Sequence, residues 1–268
     1  MSMYDSFNRR INYLRISVTD RCNLRCTYCM PECGVVTLPH EQILSFEEIV
    51  EVVQYGVDHG IEKVRITGGE PLVRKGIVDL VRRIAAIKGI NDLGMTTNAI
   101  LLDQFAQPLA DAGLMRVNIS LDTIDPERFR EITRRGNIAD VYRGIEAARK
   151  AGLRPIKINC VVKESSDEPD ALAIRKFCEE QGLEARFITE MNLETGHFSV
   201  VENGEGGHCA SCNRLRITAN GDLKPCLFTD LSYNVRTMGL AGAYQAAIGN
   251  KPACGSINQS NQFSNIGG

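Results

Sequence analysis

A chain of 268 residues can bury one barrel-sized core or two smaller ones. Its 31 Lys and Arg balance 33 Asp and Glu to a net charge of -2, which excludes a general nucleic-acid binder, so no DNA or RNA partner is expected. No run of about 18 apolar residues and no signal-peptide pattern is present, so no membrane association is expected and a soluble protein of the cytoplasm is.

The first strand is expected over 12–18, where Arg15, Ser17 and Thr19 alternate with Leu14, Ile16 and Val18. Directly after it stand Cys22, Cys26 and Cys29, at C-x3-C-x2-C spacing, and then Met30-Pro31. Ten cysteines in a cytoplasmic chain point to metal ligands and buried thiols rather than disulfides. A loop of this size turns three thiolates toward one centre, and three cysteine ligands suit a 4Fe–4S cube with one iron left open. A three-ligand zinc site or a disulfide loop is the alternative. Tyr28, next to Cys29, can stack on an aromatic ring or simply fill the core.

A helix follows over 46–59, with Phe46, Ile49, Val50, Val53 and Val57 on one face and a capping box of Ser45 and Glu48. The strand expected over 63–67 sets Lys63, Arg65 and Thr67 against Val64 and Ile66. It runs into Gly68-Gly69-Glu70-Pro71, where glycines let the backbone approach a small ligand closely. Helices near 73–87 and 101–113 flank a strand over 93–97. A strand over 116–121 puts Arg116, Asn118, Ser120 and Asp122 on one side. Helices over 126–134 and 138–151 come next, the first opened by Asp125-Pro126 and the second ended by Gly152. A strand over 156–163 sets Lys157 and Asn159 opposite Ile156, Ile158 and Cys160. A helix over 168–181, ended by Gly182, and a strand over 185–190 complete the series.

Strands alternating with helices imply an α/β fold with a parallel sheet, and six strands are too few for a closed eight-fold barrel. An open or partial barrel is expected over 1–191, with a small extension over 192–268. The apolar strand faces meet the helices and the polar faces line the interior. Buried cations without partners are costly, so a basic inner face calls for an anionic ligand, paired carboxylates or water. A half-exposed antiparallel sheet is the competing arrangement, and the repeated helices argue against it.

In the extension, Cys209 and Cys212 form C-x2-C, and Cys226 follows across a hairpin at Asn220-Gly221. Three thiolates again converge. His208 would complete a zinc site, and Cys254 would close a cluster as a fourth ligand. Arg214 and Arg216 share one strand face beside this centre, a sensible arrangement for holding phosphate. His40, His59, His197, Cys33, Cys160 and Cys178 are expected to be structural or surface residues. The terminal Gly267-Gly268 means little by itself.

C-x3-C-x2-C after the first strand together with Gly-Gly-Glu-Pro resembles the radical S-adenosylmethionine (SAM) enzymes. Within them, Arg15-Ile16-Ser17-Val18-Thr19-Asp20-Arg21-Cys22-Asn23-Leu24-Arg25-Cys26 and Tyr28-Cys29-Met30-Pro31 resemble the GTP 3',8-cyclase family of molybdenum cofactor biosynthesis. Cys209-Ala210-Ser211-Cys212-Asn213-Arg214-Leu215-Arg216, Lys224-Pro225-Cys226-Leu227-Phe228 and the Gly-Gly terminus are similar to the same family. The resemblance covers nearly the whole chain.

It implies a partial (β/α)6 TIM-type barrel with a C-terminal Fe–S extension, and a lyase carrying two 4Fe–4S clusters and SAM. Cys22, Cys26 and Cys29 would hold the SAM-binding cluster. Cys209, Cys212 and Cys226 would hold a second cluster that receives the guanine of GTP. Tyr28, Gly68, Gly69, Glu70, Thr97, Ser120 and Met191 would surround SAM. Arg15, Lys63, Arg65, Lys157, Arg214 and Arg216 would meet the nucleotide and its triphosphate. The radical made from SAM would take hydrogen from ribose C3', and the new radical would add to guanine C8, with Arg15, Gly267 and Gly268 assisting. An external one-electron reductant, a downstream cyclic pyranopterin monophosphate synthase and a homodimer are the implied partners. The chain departs from the family where Met191 and Cys209 are separated by only 17 residues, a stretch usually several tens of residues longer. Another purine nucleotide or a peptide is the alternative substrate for the same two-cluster apparatus. A bare electron carrier has no use for cations inside a barrel.

Overall fold

The computed structural model describes residues 3–260 and 262–267. A short antiparallel ladder, β1 (Met3–Tyr4) with β2 (Arg10–Ile11), precedes the main sheet. That sheet has six parallel strands in chain order: β3 (Tyr13–Ser17), β4 (Lys63–Thr67), β5 (Asp92–Thr97), β6 (Arg116–Ser120), β7 (Ile156–Val162) and β8 (Glu184–Thr189). The crossovers carry α1 (Phe46–Asp58), α2 (Ile77–Ala85), α3 (Leu102–Asp111), then α4 (Pro126–Thr133) with α5 (Ile138–Lys150), and α6 (Pro169–Gln181). This is the partial barrel of parallel strands wrapped by helices that the alternation implies.

Beyond β8 the chain returns to the opposite edge. There β9 (Arg214–Ile217) lies parallel to β3, and β10 (Asp222–Lys224) and β11 (Tyr233–Asn234) add antiparallel strands. Gly221 makes the β9–β10 turn at φ 91°. α7 (Val235–Gly249) and α8 (Phe263–Ile266) follow, α7 broken at Gly239. α7 is pinned to α1 by Tyr244, whose buried hydroxyl donates to Val52 O at 3.0 Å. Among the described residues no helix is long and apolar enough to cross a membrane.

One strand face makes the core. Leu14, Ile16, Val64, Ile66, Val117, Ile119 and Ile158 are fully buried against the helices. α2 meets them with Ile77, Leu80, Val81 and Ile84 at helical spacing, each side chain worth about 1.5–3 kcal/mol when fully buried. Helix starts follow their sequence signals: Ser45 and Glu48 exchange the capping-box bonds, and Asp125 caps Arg128 N at 2.8 Å. α2 begins at Ile77 rather than near 73. Glu70 caps a separate 3-10 turn, Pro71–Val73, and Gly76 turns left-handed (φ 82°) before the helix starts.

The Gly68-Gly69 turn approaches backbone as well as cavity. Gly69 N donates to Thr19 O at 2.7 Å and Glu70 N to Arg21 O at 2.8 Å, which clamps this turn to the start of the cysteine loop. A Cβ on Gly69 would lie 2.5 Å from Arg21 O and 2.9 Å from Asp20 O. Neither carbonyl is the end of a flexible side chain. Gly69→Ala is expected to cost about 1–3 kcal/mol, the usual range for forced overpacking, read as a lowered urea midpoint at unchanged slope under anaerobic conditions.

Candidate functional site

Parallel register turns single cations into rows. Arg15 on β3 is paired with Arg216 on β9 and with Arg65 on β4. Arg65 is paired with Gly94 on β5, and Gly94 with Arg116 on β6. Gly94 makes room, because a Cβ there would sit 3.0 Å from the Arg65 guanidinium carbon. One level down, Tyr13 stands between Arg214 and Lys63, and Lys63 is followed by Asp92. With Arg186, the six arginine and lysine side chains of these rows and Tyr13 wall a cavity that Cys209, Cys212 and Cys226 also line.

The cations are under-compensated. Arg116 makes a two-point ion pair with Asp92 at 2.6 and 2.5 Å. Lys63 reaches Asp92 at 3.6 Å and Glu205 at 3.5 Å, and Arg214 reaches Glu205 at 3.8 Å. Arg65 Nε and Nη1, Arg186 Nε, Asn118 Oδ1 and Asn159 Oδ1 are buried without a hydrogen-bond partner among the described residues. Burial, with Arg15 and Arg214 nearby, pulls Arg216 down to about 9, and burial pulls Arg65 down to about 10. Burial alone would raise Tyr13, but Arg15, Arg65, Arg214 and Lys63 outweigh it and lower the phenol to about 8. A polyanion would relieve every one of these shifts.

A second cavity lies at the carboxyl ends of β3 to β6. Cys22, Cys26, Cys29, Tyr28, Gly68, Gly69, Glu70, Thr97, Ser120 and Met191 all line it. Glu70 is buried and accepts from Thr97 Oγ1 (2.8 Å), Asn98 N (2.7 Å) and Leu72 N (3.0 Å), and burial raises its carboxyl to about 7. The Tyr28 hydroxyl donates to Asp122 Oδ2 at 2.7 Å, and Asp122 Oδ1 accepts from Val161 N. Tyr28 therefore faces the cavity with its ring position fixed. Burial raises Cys22, Cys26 and Cys29, the last to about 11. Asn159, Ile188 and Met191 line both cavities, so the two share a wall.

The second thiol group sits in a different field. Burial would raise Cys212, but Lys251, Arg214 and Arg216 and the Arg214 amide lower it. Lys251 is buried and donates to Arg214 O at 2.7 Å and Pro225 O at 2.5 Å, so it ties β9 to the Cys226 segment. Among the described residues no three Cys, His, Asp or Glu side chains close on a single ion. Each cysteine trio instead borders open space. His208 shares the cavity wall with Cys209, Cys212 and Cys226.

The tail reaches this chamber. Ile266 is fully buried in an apolar cluster with Leu193, Leu227 and Phe228. Arg216 donates to Gly267 O at 2.8 Å, and a Cβ on Gly267 would lie 2.4 Å from Thr67 Cγ2. Gly268 lies outside the described residues.

The radical SAM superfamily model matches residues 16–178, and the Molybdenum Cofactor Synthesis C model matches 168–252. A GTP 3',8-cyclase of Thermodesulfovibrio yellowstonii is 43% identical over 287 aligned positions, covering 90% of this chain and 89% of that one. One from Moorella thermoacetica is 41% identical, covering 92% and 90%. The chain belongs to the GTP 3',8-cyclase family of radical SAM proteins. The alignments are longer than this chain, so the relatives carry residues that it lacks. Among solved structures, native anSMEcpe with bound AdoMet superposes at TM-score 0.65 with 16% identity, covering 89% of this chain and 81% of that one. Streptococcus suis SuiB bound to S-adenosylmethionine superposes at 0.63 with 19% identity, covering 85% and 62%. At such identities the likeness is one of fold.

Of the cations expected at the nucleotide, Arg15, Lys63, Arg65, Arg214 and Arg216 meet in the cavity that Cys209, Cys212 and Cys226 line. Lys157 does not. It turns to Glu184, its register partner on β8, and is absent from both cavity walls. Tyr13, Arg186 and Lys251 join the site without having been singled out in sequence. Tyr13 and Arg186 have the inward parity of their strands, which was the available signal; Lys251 follows a helix and gave none. Cys160 and Cys178 are buried in the core and Cys33 is exposed.

Above about pH 8 Tyr13 ionises and offsets part of the cavity's positive charge, so binding of a polyanion there takes up a proton. Affinity for inorganic tripolyphosphate, measured by calorimetry, is expected to fall as pH rises through about 8. The limit is about tenfold per pH unit for one linked proton. Tyr13→Phe should lose that step and keep only the later fall from arginine titration.

Proposed function

We propose that this chain is a GTP 3',8-cyclase acting in molybdenum cofactor biosynthesis. The observation that carries the reading is the row Arg216, Arg15, Arg65 and Arg116, which lines one cysteine-bordered cavity that shares a wall with a second. A triphosphate supplies the negative charge this row lacks, and charge-assisted contacts to it are worth about 1.5–3 kcal/mol each. Both cysteine trios fit 4Fe–4S centres with three protein ligands. When bound, a reduced cluster with SAM supplies a carbon radical strong enough to take hydrogen from an unactivated C–H bond.

In this reading residues 1–191 supply the SAM-binding part and 192–268 the second cluster. Arg15, Arg65, Lys63, Arg214 and Arg216 hold the nucleotide with its sugar toward the shared wall at Asn159, Ile188 and Met191. Tyr28, Gly68, Gly69, Glu70, Thr97, Ser120 and Met191 surround SAM. Glu70 offers its carboxyl edge, held in place by Thr97 and the Asn98 amide. Arg216 fixes the Gly267 carbonyl, so the tail and the nucleotide share one guanidinium. Phe198 stacks on Phe228 with ring centroids 4.5 Å apart, beside Cys226, and keeps water from that side of the chamber. An external one-electron reductant completes the system.

Anaerobically reconstituted protein, given SAM, a reductant and each nucleoside triphosphate in turn, tests this by mass spectrometry. The expected result is a product isomeric with GTP, made from GTP alone and lost in Cys212→Ala while SAM binding persists. Equal turnover of another nucleotide, or a fully active Cys212→Ala, overturns the assignment.

Glu205 competes with the substrate in this arrangement. Its carboxylate sits on Lys63 and Arg214, and those cations lower it against the opposing effect of burial. It is two-thirds exposed, so the pairs are worth about 0.2–1 kcal/mol in all. Glu205→Gln is expected to tighten GTP binding by about two- to fivefold with SAM binding unchanged, as calorimetry would show.

A further inference from the structure

We propose that Cys209 and Cys254 form a reversible disulfide in the cluster-free protein, which withholds Cys209 from the second iron–sulfur centre. The proposal rests on the assignment of Cys209 as a ligand of that centre.

The two sulfurs are 3.1 Å apart, 45 residues distant in sequence. At that separation no part of an iron–sulfur core fits between them, so Cys254 is not placed as a fourth corner of the cube. A disulfide bond measures about 2.05 Å, so a closure of about 1 Å joins them.

The contact is built by buried groups. Arg9, held by Asp5 at 2.6 Å, donates from Nη1 to Cys209 O (2.7 Å) and Ala253 O (3.0 Å), and from Nη2 to Pro252 O (2.6 Å). One guanidinium therefore fixes the backbones of both partners. Downstream, Ser256 N donates to Phe228 O at 2.9 Å and Asn258 Nδ2 to Leu227 O at 2.7 Å. Gly255 lets the strap lie flat: a Cβ there would sit 2.6 Å from Phe228 Cβ and 3.2 Å from Cys226 Sγ. Cys254 is exposed, so an oxidant can reach it, and Cys209 is half-buried behind it.

The chemistry balances by thiol–disulfide exchange with a low-molecular-weight disulfide, RSSR. The Cys254 thiolate attacks RSSR and releases one thiol, and Cys209 then displaces the second thiol from the mixed disulfide. One S–S bond forms between Cys209 and Cys254 and one breaks. Two electrons pass to RSSR, and the protons of the two cysteines leave on two RSH. A transient, redox-sensing bond of this kind is the sort expected in a reducing compartment. Its effect is to keep an empty second centre from holding a stray metal, and a reductant restores the ligand.

The test uses full-length, chelator-stripped protein and glutathione disulfide as the probe. Peptide mapping by mass spectrometry should find Cys209 joined to Cys254, and a thiol reductant should reverse it. After oxidation, anaerobic reconstitution should load about four irons per chain, against about eight for the reduced protein. Cys254→Ser should load about eight irons with or without oxidation, while Cys33→Ser should behave as wild type. Glutathione adducts at Cys254 with no Cys209–Cys254 link would overturn the proposal. So would an oxidised Cys254→Ser protein that still loses half its iron, or a reduced one that never holds more than four. A reduced wild-type protein limited to four irons would instead remove the second-centre assignment itself.

Discussion

Like charges are forced together by backbone pairing here, and the remaining features of the site answer that constraint. Neighbouring strands stand about 4.8 Å apart, and register puts Arg216, Arg15 and Arg65 on three adjacent strands at one level. At an effective dielectric of 20, two unit charges about 5 Å apart repel by about 3 kcal/mol. The side chains reduce this by splaying. Arg65 extends over Gly94, where no side chain stands, and Arg216 turns to the Gly267 carbonyl. Asp92 and Glu205 offset part of the rest. The aliphatic face behind the same strands holds the sheet together while its inner face remains electrostatically unsatisfied. A polyanion placed there would supply the charge that this face lacks.

The parallel sheet also decides where the two thiol groups stand. Cys22 follows the carboxyl end of β3, while Cys209 and Cys212 immediately precede the amino end of β9, its parallel neighbour. The two trios are therefore at opposite ends of the strands, with the arginine row between them. Asn159, Ile188 and Met191 belong to both cavity walls, so a ligand long enough to span the strands meets both ends. Binding loops at the carboxyl ends of parallel strands are the general pattern of α/β barrels; the opposite opening is what the returning β9 adds. Gly267 lies where the tail crosses that span. Ile266 anchors it in apolar surroundings, and the glycine passes Thr67 with no room for a side chain.

Much of this was legible from local pattern, because strand parity is a local property. Alternation alone turned Arg15, Arg65, Arg116, Asn118 and Asn159 inward, and cysteine spacing marked both thiol groups. Capping residues marked the starts of α1 and α4. What parity cannot supply is register. That Arg15 has an arginine on each side, or that Lys157 has Glu184, depends on which residues pair across strands, and nothing within one strand encodes it. Gly94 was unreadable for the same reason, since its role exists only because Arg65 is its neighbour. Tyr13 shares the inward parity of Arg15, but a phenol carries no charge pattern that marks it. Lys251 and Arg9 act through backbone carbonyls far away in sequence, a kind of contact that leaves no periodic trace. The glycines of the Gly-Gly-Glu-Pro turn were read for a ligand, yet their tightest contacts are with the carbonyls of residues 19–21.

The connection after β8 is compact. Between 199 and 207 the backbone folds on itself, with Val201 N donating to Gly206 O and Gly204 N to Val201 O. Gly207 turns at φ 83°, and a Cβ there would lie 2.4 Å from Ser199 O. In this stretch the cavity wall is built by Phe198, Ser199, Val201, Glu205 and His208 together with three glycines. At the tip stands Glu205, whose carboxylate lies on Lys63 and Arg214. A loop of this size can carry a weak internal anion that any phosphate chain outcompetes. Beyond the arginine row, Cys209, Cys212 and Cys226 border the same cavity.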